Sequence, residues 1–232
     1  MVEGAMKKVL VVAVVVAGLV WGLVAQERYS WRQKLTVTVE TQAGEVSGSS
    51  VSAVSWRKQW FRWDGMGWSH DLTGEAVVVE VAPGRYLFAL LKGAGTAEYM
   101  GSVAAASISG REGRVIDGAL FAEVQGKLGR AAGVIPVPEG QYPMLVTFGD
   151  IADPASVRLV DSGDLAATFG PGVRLKAMTL EVTDEAVTEG VVEGILGWLG
   201  KTTGRLKSTA KKYADELTVE ETLYRNDLLA GE

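Results

Sequence analysis

The chain of 232 residues contains no cysteine, a single histidine at position 70, six prolines and no excess of basic over acidic side chains. Each shortage excludes something. Without cysteine there is no disulfide, no thiolate metal site, no cysteine nucleophile and no lipid attachment through an N-terminal cysteine. One histidine leaves a zinc site dependent almost wholly on carboxylates. A net charge of −5 provides no basic surplus to replace counterions, which argues against a nucleic-acid partner. There is no Gly-x-Ser-x-Gly elbow, and Gly93 and Gly95 lack the spacing and the lysine of a phosphate loop. No cofactor, no metal and no catalytic residue is therefore expected, and the sequence favours a binding protein over an enzyme.

What is present favours folding. Hydrophobic residues make up 47% and charged residues 22% of the chain, enough for one domain with a real core or two small ones. The 29 glycines predict many turns.

Residues 9–25, VLVVAVVVAGLVWGLVA, form an uncharged run preceded by Lys7 and Lys8. As a helix it covers about 26 Å, the short end of a membrane span. Lysines before the run and none after it until Arg28 predict residues 1–8 in the cytoplasm and the body outside the inner membrane. The expectation is a single-pass anchor in contact with the lipid bilayer. The rival is a signal peptide cleaved near Leu23-Val24-Ala25, which leaves a soluble periplasmic or secreted protein.

The body, 31–187, reads as strand-dominated. KLTVTVET (34–41) alternates cleanly, with Leu35, Val37 and Val39 on one face. EVSGSSVSAVSW (45–56) is its return arm, with Gly48 marking a candidate bulge. Strands at 76–81 and 85–91 flank a Pro83-Gly84 turn. Further strands fall at 144–148, 156–160 and 172–182, and a short helix falls over GTAEYMGSVAAA. Residues 119–128 suit either strand or helix. The segment 188–232 reads as a helical tail: a glycine-interrupted helix over 188–200, a second over 207–217, and a third opened by the Thr218…Glu221 capping box. The expected fold class is thus α+β, a transmembrane helix followed by a strand-dominated extracytoplasmic domain and a helical tail.

Between the strands lies VSWRKQWFRWDGMGWSHD (54–71), which holds Trp56, Trp60, Trp63 and Trp68 among Arg57, Lys58 and Arg62. A helix aligns the first three tryptophans on one stripe. A hairpin turning at Asp64-Gly65 fits slightly better. The main expected role is packing, with basic stems lying over the rings. Trp60, Trp63, Trp68, Arg57 and Arg62 are the candidates for a contact surface.

Catalytic candidates are thin. Ser69, His70 and Asp71 are adjacent in sequence, whereas a triad converges in space. Asp150, Asp153, Asp161 and Asp164 lack the spacing of an EF-hand and suit turns and a helix cap at Asp161. Glu75, Glu98, Glu112 and Glu123 contain no recognisable pair of the glycosidase kind.

YPMLVTFGDIADPASVRLVD together with DLAATFGPGVRLKAMTLEVTDE, spanning 142–187, resembles an uncharacterised family of bacterial single-pass or exported proteins. The resemblance implies a bacterial envelope setting and carries no site. The expected function is an extracytoplasmic binding or scaffolding protein, with another envelope protein as partner and homo-oligomers allowed. The alternatives are an exported carboxylate-dependent hydrolase of cell-wall or polysaccharide material, and a purely structural protein of the membrane surface.

Overall fold

The computed structural model describes residues 14, 27–59, 67–93, 99–111, 115–127, 133–209 and 216–231. Its backbone is β1 (Arg28–Thr41) and β2 (Gly44–Lys58), joined by a tight turn, then β3 (Trp68–Glu75), β4 (Val77–Ala82) and β5 (Arg85–Gly93). Helices α1 (Tyr99–Ser109) and α2 (Gly118–Gly126) follow. Next come β6 (Ile135–Pro136), β7 (Pro143–Phe148), β8 (Val157–Val160), α3 (Leu165–Phe169), β9 (Arg174–Thr183), α4 (Val191–Ile195) and β10 (Leu229–Ala230). The strands form two antiparallel sheets, ordered β10-β3-β2-β1-β9-β6 and β4-β5-β7-β8.

The alternation read in β1 is realised. Trp31, Gln33, Leu35, Val37 and Val39 are buried, while the residues between them are half-exposed. Strict alternation carries a whole set of side chains to one face. Val37 lies opposite both Gly48 of β2 and Met178 of β9, and these positions share the inner face. The pairing of β1 with β2 runs through Gly48 without a shift, so Gly48 is not a bulge. It is glycine because a Cβ there would come within 1.9 Å of the Val78 carbonyl oxygen, where β2 crosses β4. The irregularity falls instead in the pairing of β1 with β9, between Thr38 and Val39. Gly84, at φ 69°, supplies the positive φ that the Pro83-Gly84 turn requires.

The small sheet is buried on both sides. Val77, Val79, Leu87, Ala89, Leu91 and Leu145 join the core shared with the large sheet and helices α1 and α2. Phe88, Leu90, Met144, Val146, Phe148 and Val157 join a second core, completed by Val192, Leu196, Leu199, Leu206, Leu223, Leu228 and Leu229. The C-terminal segment is therefore a third layer laid over the small sheet. Four of its leucines (196, 199, 223 and 228) are fully buried, each contributing roughly 1.5–3 kcal/mol of transfer free energy.

The expected architecture of a transmembrane helix, an α+β body and a helical tail is corrected here. The described chain is two antiparallel sheets with four short helices, and among the described residues no helix is long and apolar enough to cross a membrane. Nothing among the described residues corresponds to the expected transmembrane and signal-anchor helix. Residues 9–25 themselves lie outside the described residues, apart from Val14.

The tail has a physical reason for not being helical. Glycines at 194, 197 and 200 weaken any long helix, and α4 stops at Ile195 after five residues. Of the expected 207–217 helix, 210–215 lie outside the described residues. At the third expected helix the bond from the Thr218 amide to Glu221 Oε2 forms, at 2.7 Å. Only a 3-10 turn follows, at Glu220–Thr222. Beyond it Leu223 accepts from the Leu206 amide at 2.9 Å, so a distant segment takes the backbone bond that a helix would have used.

Candidate functional site

The tryptophan-rich segment divides. Trp60, Arg62 and Trp63 lie outside the described residues. Its two flanks pair as an antiparallel hairpin, with Lys58 opposite Trp68. Trp56 is fully buried, stacked on Phe121 at 4.7 Å and on His70 at 4.7 Å, and its indole nitrogen donates to the Gly101 carbonyl at 2.7 Å. Trp31 donates to Gln33, whose amide in turn donates to the Met100 carbonyl at 2.7 Å. These bonds satisfy the polar ends of buried side chains and lock the large sheet to α1. Trp68 is half-buried at the rim, edge-on to Phe121 and beneath the Lys58 ammonium. Arg57 lies on the opposite face, paired with Asp71 at 2.6 Å.

Strand alternation also decides the Ser69, His70, Asp71 question. His70 points into the aromatic cluster against Trp56. Its two neighbours point to the other face, Asp71 toward Arg57 and Ser69 accepting from Gln59 Nε2. A period of two separates the imidazole from both partners, so these three residues do not form a triad.

The carboxylates serve the backbone. Glu75, 1% exposed, accepts from the Val191 and Val192 amides at 3.0 and 3.1 Å and so fastens the C-terminal layer to β3. Glu123 pairs with Lys127 one helical turn away, and Glu98 and Glu112 lie outside the described residues. Asp150, Asp153 and Asp161 each accept from an amide two residues ahead. The cap of α3 is Asp164, which accepts from Ala167, rather than Asp161. No group of three or more potential metal ligands occurs among the described residues.

Two concave surfaces stand out. The first lies on the open face of the large sheet. Its shallow trough of about 320 Å³ is lined by Ser30, Arg32, Ala53, Ser55, Asp71 and Thr73. Ion pairs stand on the same sheet, Arg57 with Asp71 beside the trough, and Arg174 with Glu40 and Lys176 with Glu45 at the far end near the β1–β2 turn. Such exposed pairs contribute about 0–1 kcal/mol each, so this face is solvated rather than strained.

The second surface is a cleft of about 850 Å³ at one end of the small sheet, within the size range of ligand sites. The β4–β5 turn, the end of β7, strand β8 and helix α3 build it, and Arg85, Thr147, Asp150, Arg158 and Thr168 supply its polar side chains. Arg85 is held in place, donating to the Phe169 and Thr168 carbonyls with its guanidinium over the Phe169 ring. The Arg158 side chain is exposed, and its guanidinium has no ion-pair or hydrogen-bond partner among the described residues. Asp150 is the single carboxylate among the described residues that line the cleft, already engaged by the Ala152 amide. Two guanidiniums against one carboxylate make this a positive spot on an acidic protein.

Nothing in the local sequence announces this cleft. Arg85 opens a strand and Arg158 sits inside a short one, and only the order β4-β5-β7-β8 brings them to one wall. Compared with known proteins, the chain matches no family model, no curated protein and no solved structure.

Proposed function

We propose that the chain is a binding or scaffolding module of the bacterial envelope, located beyond the inner membrane, and that it holds another envelope protein at the Arg85–Arg158 cleft. The carrying observation is Arg158. It is an exposed guanidinium without a partner among the described residues, on the wall of a cleft large enough for a ligand. An arginine fork suits planar oxyanions, which it meets with two parallel hydrogen bonds. The rival hydrolase reading needs two carboxylates about 5–10 Å apart across a cleft, whereas the described residues of this cleft present Asp150 alone.

Affinity purification of the tagged full chain from a bacterial envelope fraction tests the proposal, with wild type and Arg158→Glu compared by mass spectrometry. A stoichiometric protein recovered with wild type and lost with the variant supports it. Equal recovery with both, or no companion with either, contradicts it.

A further inference from the structure

We infer that the occupant of the cleft is an extended acidic segment of the partner protein, which adds as a strand to the outer edge of β8 and sets a carboxylate on Arg158. This inference rests on the reading of the cleft as a binding site.

The argument begins with strand order. Among the described residues β8 is the last strand of the small sheet and pairs only with β7. Its register places Phe148 opposite Val157 and Thr147 opposite Arg158. One step further, the Gly149 amide donates to the Ser156 carbonyl at 3.2 Å. In an antiparallel ladder the bonded pairs alternate. Thr147–Arg158 is then a bonded pair, and the backbone of Arg158 is occupied by β7. The amide and carbonyl of Leu159 turn outward, as does the carbonyl of Val157. Among the described residues, no further backbone bond outside the sheet is made to Leu159. The Val157 amide is already used, bonding to the Pro154 carbonyl.

The side chains define what an added strand must carry. Arg158 and Leu159 are consecutive, so they stand on opposite faces of β8, and both are exposed. An incoming strand meets a cation on one face and a leucine on the other. It is matched by alternating acidic and apolar residues, the acid on the Arg158 side. Three outward backbone groups alone give a weak complex, so the arginine supplies the selectivity. The charge of the chain points the same way, because the cleft wall is positive on a protein of net charge −5.

Fluorescence anisotropy on the full chain tests this. The probe is a fluorescein-labelled peptide of four Val-Glu repeats, with Val-Gln and Val-Lys repeats for comparison. Two variants report separately, Arg158→Glu on charge and Leu159→Pro on the edge, since proline at 159 removes only an amide that faces outward. Both are first shown to keep the wild-type unfolding transition. The expected result is saturable binding of the Val-Glu peptide and weakening by tenfold or more in each variant, with Arg158→Glu now preferring Val-Lys. Equal binding of Val-Gln overturns the requirement for an acidic segment. Loss with Arg158→Glu but not with Leu159→Pro overturns strand addition and leaves a plain anion site. No binding of any peptide, while the Arg158-dependent envelope partner is still captured, overturns this inference and leaves the binding reading intact.

Discussion

The two cores of this protein are built on opposite principles. The first lies between the large sheet, the inner face of the small sheet and two helices, and it is rich in aromatic residues, with Trp31, Trp56 and Phe121 buried. Regular elements enclose it, and polar ends are tied off by bonds such as that from Trp56 to Gly101. The second lies on the other face of the small sheet, and on its outer side leucines from turns and loops close it. Regular structure satisfies its own backbone, whereas irregular structure must find other partners. The second core finds them through Glu75, which accepts two amides of the C-terminal layer, and through the bond from Leu206 to Leu223. One core is held by packing of periodic elements, the other by a few long-range clamps.

The comparison breaks most visibly at Trp56. Trp56→Ala removes a fully buried ring and leaves a cavity, and large-to-small changes of this kind cost about 3–5 kcal/mol. Urea unfolding is expected to show the loss in a single transition, because this core ties both sheets together.

Glu75→Ala addresses the second core. It leaves the Val191 and Val192 amides without their acceptor, and an unsatisfied buried group costs about 1–3 kcal/mol. Hydrogen exchange is expected to show amides in 191–209 opening first, while β1 and β2 keep their protection. Equal loss in all these segments would show that the two cores are one cooperative unit.

The smallest expected effect has the opposite sign. The Tyr99 hydroxyl is buried without a hydrogen-bond partner among the described residues, and burial pushes its ionisation well above the usual phenol range. Tyr99→Phe removes that unsatisfied group and is expected to raise stability by about 1 kcal/mol, measured by the shift in the urea midpoint.

The same contrast marks how much could be read from the sequence. Strands β1, β2, β4, β5, β7, β8 and β9 were legible because alternation and turn residues are local signals. In β9 the sequence alternation changes phase at the irregularity opposite Thr38 and Val39, beyond which Met178, Leu180 and Val182 are buried. The C-terminal layer was not legible. Its leucines at 196, 199, 223 and 228 fit helical spacing loosely, and only a distant surface, Phe88 and Val146 of the small sheet, decides that they are reached by turns. At Thr218 the capping chemistry was readable, while the length of what it caps was not. Of the contact residues expected from the sequence, Trp68 and Arg57 fall on opposite faces of the large sheet, and the others lie outside the described residues. The Arg85–Arg158 cleft has no local signature, since it depends on strand order.

The most direct test of the binding account is photo-crosslinking in the intact bacterial envelope. A photoreactive phenylalanine derivative replaces Leu159 on β8, or Ser47 on the open face of the large sheet as the comparison position. The account predicts a discrete crosslinked protein from position 159, abolished by Arg158→Glu, and no such product from position 47. Crosslinking from position 47 alone, or from position 159 regardless of Arg158, would contradict it.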